Sequence, residues 1–464
     1  MPRIYLYGGS FNPPGLHHEA IVQKLASLLE EDDRLIVIPC GERPDKASTN
    51  DLAMIHRAAM CDLAFGKIPR VEINLTDLEQ SVFSRTWDLD VRFRAQFPDH
   101  EIYHVIGTDL ISGGAHGESE IQKFWFRGTD VWNMLHFLVQ RRKDVVWNEA
   151  DLPPHSIIIE PELNGSSSDI RERIFKHQPI KHLVSDAISA YIERHQLFTG
   201  RVTDGTALLH EPFRPIVIAD DHNPKSLALQ AQLQIAFPEQ DGERNCIIVI
   251  GGDGFMLRTI RANWRKRLPF FGVNAGTVGF LLNDIAFADV IARLKSCRAF
   301  RTYAQQLLFV EYETTDGNIK TDIAFNDALV ERTTTQTAWM RVVVNGEERY
   351  ARMMGDGLLV ATAAGSTGYA RSMGATPIMI GSHMIVFAGS NICSHQWRGA
   401  QLSIHTEIQI DALETFKRPV RAVIDGRDCG LVRHMRVRTS NIASAELAFM
   451  PETDLALKIS RLQF

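Results

Sequence analysis

Clustered cysteine is missing from this chain. Its cysteines, Cys40, Cys61, Cys246, Cys297, Cys393 and Cys429, are scattered and form no C-x-x-C pair. That argues against a disulfide framework and a zinc site, and it fits a reducing compartment. An excess of positive charge is missing too. Lys and Arg number 50 against 56 Asp and Glu, for a net charge of −6 and a pI near 6.3. Nonspecific nucleic-acid binding needs a basic face, so no nucleic-acid partner is expected. A single phosphate pocket needs only local positive character. No run approaches the ~18 apolar residues of a membrane helix. The start, MPRIYLYGGSF, lacks the charged stretch and apolar core of a signal peptide. No short-period repeat or low-complexity tract stands out. The expectation is a soluble, cytoplasmic protein with no membrane partner.

What is present suits globular domains. Of the 464 residues, 45% are hydrophobic and 23% charged, enough to bury more than one core. Short apolar runs at Ile4–Tyr7, Leu35–Ile38, Ile102–Ile106, Leu135–Val139 and Ile157–Ile159 are separated by longer segments. Ile21, Leu25, Leu28 and Leu29 mark a helix face, and Ile188, Tyr191 and Ile192 predict another helix over Ser185–Arg194. This is the pattern of βαβ units on a parallel sheet. Gly200–Pro215 is polar, with two glycines and two prolines, and reads as a linker at 201–215. Strand signals resume at Ile216–Ala219, Ile247–Ile250 and Phe270–Val273. From about Leu307 apolar and polar residues alternate, as in Trp339–Val344 before the Asn345-Gly346 turn signal. The expected fold class is α/β throughout. A Rossmann-like domain spans 1–200, and a second domain spans 216–464. That second domain has an α/β part at about 216–300 and a β-rich part at about 301–440.

Two segments of the first domain suit phosphates. Gly8-Gly9-Ser10-Phe11-Asn12-Pro13-Pro14 follows a predicted strand, and Leu16-His17-His18 opens a helix. Glycines let backbone approach a ligand, and a helix N-terminus offers free N–H groups to phosphates. Downstream lie Lys46, Arg57 and the run Ser166-Ser167-Ser168-Asp169-Ile170-Arg171. Hydroxyls and an arginine at a helix start make a second phosphate cradle.

Over roughly residues 1–198 these segments resemble the nucleotidylyltransferases that build dinucleotides from nicotinamide or nicotinate mononucleotide. That family shows G-G-[ST]-F-[DN]-P-x-H-x-G-H and I-S-S-T-x-I-R; here the two read G-G-S-F-N-P-P-G-L-H-H and G-S-S-S-D-I-R. Ile106–Asp109 resembles its G-x-D, and Phe137–Arg141 its late strand ending in arginine. The resemblance implies a nucleotide site of Gly8, Gly9, Ser10, Phe11, Asn12, His17, Lys46, Asp109, Ser166, Ser167 and Arg171, with His18 catalytic. AMP would pass from ATP to the mononucleotide, releasing pyrophosphate. One departure stands out: Gly15 occupies the place of the family's first histidine, and His17 that of its glycine. His17 either takes over from one turn later or points away. Adjacent helical residues are set ~100° apart, which argues against both rings facing one phosphate.

In the second half Gly251-Gly252-Asp253-Gly254 follows an apolar strand. A carboxylate there accepts a proton from a hydroxyl or holds magnesium. Gly272–Leu281 reads G-V-N-A-G-T-V-G-F-L, then come Asn326-Asp327, Asp356-Gly357, Thr362-Ala363-Ala364-Gly365-Ser366-Thr367-Gly368-Tyr369 and Asp425-Gly426. In this order, across roughly residues 213–464, they resemble the NAD kinases. The resemblance implies Asp253 as catalytic base and an NAD site of Gly254, Asn274, Asn326, Asp327, Asp356, Thr367, Gly368, Tyr369 and Ser372. For Asn274 a turn-shaping role stands equally. Phe255, Ala363-Ala364 and Arg427 depart from the usual Thr or Asn, Pro-Thr and Gln. The resemblance further implies magnesium with ATP, and a homo-oligomer. Polyphosphate stays open as an alternative donor. The expected whole is a fused pair of enzymes for consecutive steps. The alternative is a kinase carrying a degenerate, regulatory nucleotide-binding module.

Overall fold

A computed structural model divides the chain into two compact units, Met1–Val202 and Thr203–Phe464. It describes residues 1–44, 52–142, 145–160, 165–200, 206–238, 242–276, 279–393, 397 and 399–463.

The strands of the first unit are β1 (Arg3–Gly9), β2 (Arg34–Pro39), β3 (Val71–Ile73), β4 (Glu101–Gly107), β5 (His136–Gln140) and β6 (Ser156–Ile159). All pair in parallel, in the order β3-β2-β1-β4-β5-β6. Strands covered on both faces are apolar throughout rather than alternating. Ile4, Tyr5, Leu6 and Tyr7 are accordingly all buried, Tyr5 and Tyr7 in one cluster and Ile4 and Leu6 in another. The strand order reverses between β1 and β4. At such a point the crossovers run to opposite faces and leave a crevice beyond the carboxyl ends of the strands. Gly8-Gly9 and Gly107, which end β1 and β4, therefore open on that crevice. The expected late helix forms over Asp186–His195, burying Ile188, Tyr191 and Ile192.

The second unit begins with β7 (Thr206–His210) and continues through β8 (Pro215–Ala219), β9 (Cys246–Gly251), β10 (Phe270–Asn274) and β11 (Ala299–Thr314). Then follow β12 (Ile319–Ala324), β13 (Asp327–Arg332), β14 (Ala338–Val344), β15 (Glu347–Gly355), β16 (Gly357–Ala361) and β17 (Met384–Ser390). The last are β18 (Ala400–Ser403), β19 (Ile408–Leu413), β20 (Val420–Ile424) and β21 (Arg427–Phe449). β8, β9 and β10 are parallel neighbours, and β10 lies parallel to the end of β21. From β11 onward the strand pairs within the β-rich part are antiparallel among the described residues, with β21 paired to β11 along most of its length.

Two boundary expectations need correction. The stretch read as linker contains β7, which pairs antiparallel with Ala299–Tyr303. Only Leu209 of that strand is buried, so backbone pairing rather than an apolar run makes it, and the polar flanks conceal it. The β-rich part also does not close at 440. β21 runs to Phe449 and its end lies beside Phe270 and Phe271, so the chain re-enters the α/β part. The helix Leu455–Gln463 follows, with Leu455 buried in the cluster that holds Met256 and Ile260. Among the described residues no helix is long and apolar enough to cross a membrane.

Candidate functional sites

In the first unit β1 delivers the glycine loop to the crevice. Phe11 turns the chain with φ of 42° and is buried against Tyr7, His18 and Phe65. Fully buried Arg57 donates to the carbonyls of Ser10 and Cys40, at 2.8 and 2.6 Å from Nη2. The second cradle closes on the same loop. Arg171 donates to the carbonyl of Asn12 at 2.7 Å, and Ser167 to that of Pro13 at 2.8 Å. Ser166 caps its helix, Ser167–Phe175, by accepting from the N–H of Ser168 at 3.2 Å. The two sequence motifs therefore form one structure. Lys46 lies outside the described residues.

The histidines occupy the N-terminus of the helix Leu16–Leu28. His18 Nδ1 accepts from the N–H of Gly15 at 3.0 Å. The expectation that the two rings diverge is overturned, because their centroids are 3.9 Å apart. Helical Cα–Cβ bonds tilt toward the N-terminus, so both rings lean back past the end of the helix. A Cβ added at Gly15 would lie 2.7 Å from the His17 ring, and one added at Gly165 would collide with its Nδ1. The ring of His17 thus fills the space that side chains at 15 and 165 would need. Burial, with the charge of Arg142, pushes its pKa down to about 4, so His17 is neutral at pH 7. Asp109, just beyond β4, pairs with Arg142 at 3.2 Å. Arg142 also donates its N–H to Thr108 Oγ1 at 3.0 Å. The sequence reading took Arg141 as the arginine ending the late strand; the residue at the site is Arg142. Arg141 pairs instead with exposed Glu160 at 2.6 Å.

In the second unit β9 runs into Gly251-Gly252, and Asp253 opens the helix Asp253–Asn263. Its carboxylate accepts from the N–H of Phe280 at 2.8 Å and of Leu281 at 3.1 Å. Burial raises its pKa, while the two N–H groups and Lys458 oppose the rise. Gly254 is exposed on the first turn of that helix. Asn274, at the end of β10, accepts from the N–H of Gly276 at 2.9 Å, which is the turn-shaping role.

The β-rich part contributes a carboxylate pair. Asp425 lies in the two-residue turn between β20 and β21, with φ of 46°, before Gly426 with φ of 74°. Its carboxylate accepts from the N–H groups of Phe325, Asn326 and Asp327 at 2.8, 2.7 and 3.2 Å. Arg261 lies 3.6 Å away. Among the described residues no N–H group supports the Asp327 carboxylate in this way. Burial, then the Asp425 charge, push its pKa up to about 7. The side-chain oxygen of Asn326 is buried with no hydrogen-bond partner among the described residues, leaving an acceptor for a ligand. The carbonyl of Asn326 packs against Gly365 so tightly that a Cβ there would collide. That explains the glycine in the Thr362–Tyr369 segment. Thr367 donates to the carbonyl of Ala364 at 3.0 Å, and Gly368 and Ser372 are exposed beside it.

Asp356 follows β15 and is held by Arg332 and Asn391, both at 2.6 Å. The Asn391 bond, with the Arg332 bond and charge, pulls its pKa below the usual carboxylate range. Asp356, Tyr369, Arg332 and Ser390 line an open cavity of about 290 Å³. The buried Phe280, Leu281, Phe325 and Ala364 belong to one apolar cluster, which fixes the Asp253 and Asn326 segments on a common core. Residues absent from the sequence-level site are Arg142, Arg332, Asp425 and Lys458. Only Asp425 carried a signal there, its D-G pair.

The Asp327–Asp425 pair has a measurable consequence. A neutral Asp327 contributes stability that is fully present below the ordinary carboxylate pKa and is lost as pH rises through about 7. The stability advantage of Asp327→Asn over wild type should therefore grow between pH 5 and pH 8, by up to ~3 kcal/mol at ~1.4 kcal/mol per pH unit. Thermal unfolding across that range checks this, and parallel curves for the two proteins would refute it.

Comparison with known proteins divides the chain in the same order. Residues 6–173 fit the cytidylyltransferase-like family. Residues 171–301 fit the ATP-NAD kinase N-terminal domain and residues 325–443 the ATP-NAD kinase C-terminal domain. The chain is 32% identical to an NAD kinase of Rickettsia bellii over 253 residues, 54% of this chain and 97% of that protein. It is 33% identical to an NAD kinase of Xanthomonas campestris over 225 residues, 48% of this chain and 86% of that one. Among solved structures, yeast NADH kinase complexed with NADH aligns with a TM-score of 0.48 at 17% identity, over 57% of this chain and 94% of that one. The chain belongs to the NAD kinase family, with a cytidylyltransferase-like domain fused ahead of the kinase domains.

Proposed function

We propose that the second unit phosphorylates the adenosine ribose 2′-hydroxyl of NAD, with ATP delivered as its magnesium complex. The observation that carries this reading is Asp253, a carboxylate of raised pKa fixed at the end of a buried strand by two N–H groups. In the reaction the 2′-oxygen bonds to the γ-phosphorus, the bond from that phosphorus to ADP breaks, and Asp253 takes the hydroxyl proton. Such transfers depend mainly on positioning and charge. Asn326 offers its free oxygen to the dinucleotide, Asp327 and Asp356 bind its polar groups, and Thr367–Ser372 line its pocket.

For the first unit we propose adenylyl transfer. The phosphate of nicotinamide or nicotinate mononucleotide attacks the α-phosphorus of ATP, and pyrophosphate leaves. The support is the crevice at the β1/β4 reversal, lined by the glycine loop, His17, His18, the Asp109–Arg142 pair and the Ser167–Arg171 cradle. With nicotinamide mononucleotide, the first unit's product is the second unit's substrate.

One set of assays tests both readings. The full chain should form NADP from NAD and ATP, and should release pyrophosphate from ATP with one of the two mononucleotides. Residues 203–464 alone, which keep β7, should retain NADP formation. No NADP from the full chain would sink the kinase reading. No pyrophosphate with either mononucleotide would make the first unit a nucleotide-binding regulatory module instead.

A further inference from the structure

Lys458 is a buried cation that neither sequence motif contains. It lies on the helix Leu455–Gln463, 7% exposed, beside the ring of Phe449. A buried ammonium is costly unless its donors are satisfied. Its Nζ donates to the carbonyl oxygens of Gly279 and Phe280, at 3.1 and 3.5 Å, and to that of Leu282. Asp284 lies 3.5 Å away.

Those carbonyls are not arbitrary. The carbonyl of Gly279 and the N–H of Phe280 belong to one peptide group, and that N–H donates to Asp253 Oδ2 at 2.8 Å. The carbonyl of Phe280 and the N–H of Leu281 belong to the next, and that N–H donates to Asp253 Oδ1 at 3.1 Å. Two peptide groups therefore stand between a buried ammonium and a buried carboxylate, each with its oxygen toward the cation and its N–H toward the anion. Hydrogen bonds in such a chain polarise one another.

We propose that Lys458 is the positioning residue of the kinase site, holding Asp253 in place and in charge through these two peptide groups. The proposal rests on the reading of Asp253 as base. Lys458 does not touch substrate. It fixes the 279–282 turn by its carbonyls, and so aims two N–H groups at the carboxylate from the opposite side. The charged groups acting on Asp253 are Lys458, which favours its ionised form, and Asp284, which opposes it. Those acting on Lys458 are Asp284 and Asp253, which favour the ammonium, and Arg461, which opposes it along with burial.

The test uses the full chain with NAD and magnesium-ATP. Lys458→Met should lower kcat by about 10- to 100-fold, less than the loss of a group that contacts the reacting atoms. The KM for NAD should change less than about threefold, since binding groups are untouched. The acid limb of the kcat profile should move to higher pH by about one unit, because the ionised carboxylate has lost its cation. Lys458→Arg, which keeps charge and donors, should recover most of kcat. Leu455→Ala, which loosens the same helix without touching the ammonium, should leave the acid limb in place. An unmoved acid limb in Lys458→Met overturns the proposal, as does a Lys458→Arg protein that folds but is as slow as Lys458→Met. If the Met variant does not fold, Lys458→Gln is measured against the same two criteria. A wild-type chain that makes no NADP would instead refute the reading of Asp253. The link itself would then be read from the carbon-13 shift of the Asp253 carboxyl, which should titrate higher in Lys458→Met and would refute the proposal if it did not.

Discussion

Asp253→Asn should remove most NADP formation, a loss of about 10²–10⁴ in kcat for a missing general base. The structure adds a second effect. Both carboxylate oxygens accept an N–H, so the asparagine NH2 would confront either Phe280 or Leu281 as donor against donor. Leaving a buried donor unpaired costs about 1–3 kcal/mol. The variant should therefore lose some stability as well as turnover, and NAD binding, which we assign to the Asn326 and Asp356 segments, should suffer least. Steady-state kinetics and NAD titration by calorimetry separate the two effects. Wild-type kcat in this variant would sink the assignment of Asp253 as base, whatever its stability.

Legibility followed the range of the interactions. Asp253 was readable because a strand, two glycines and a carboxylate are consecutive, and that local order is what places it. Asn326-Asp327 and Asp356-Gly357 were readable for the same reason, as polar pairs beside strand ends. Asp425 was visible only as a D-G pair. Its task, accepting three N–H groups from Phe325 to Asp327, depends on β20 lying beside β13, a pairing between residues about a hundred positions apart. Lys458 reaches the 279–282 turn only because β21 returns the chain to β10. A lysine in a short amphipathic helix reads as a solvated face until that return is known. In the first unit, the parallel sheet was legible from its apolar runs, but the choice between Arg141 and Arg142 was not. Which of two adjacent arginines faces the crevice is decided where β5 ends, and a single residue reverses it.

The histidine loop gives the other large effect, and here sterics set the expectation. Gly15 has φ of −114° and ψ of 171°, extended backbone open to any residue. What forbids a side chain there is the ring of His17, 2.7 Å from a Cβ at that position, with Ile170 at 3.0 Å behind it. Gly15→His alone should therefore push residue 15 and the His17 ring apart, break the Gly15–His18 hydrogen bond, and lower adenylyl transfer, the reaction proposed for the first unit, by ~10² or more, as expected when the charge-stabilising contact of His18 is lost. Gly15→His combined with His17→Gly vacates the contested space and should recover much of that loss, so the two substitutions should be strongly non-additive. His18→Ala should abolish transfer, because it removes both the imidazole beside the phosphate loop and the acceptor for the N–H of Gly15. His17→Ala should be milder, since a ring held neutral by burial supplies a hydrogen bond rather than a charge. Pyrophosphate release by the full chain measures these four variants and His17→Gly alone, which completes the cycle. Additive losses in the double variant would show that the His17 ring does not stand in for a side chain at 15. Transfer appearing only in the double variant would identify the wild-type loop as a decayed form of an active one.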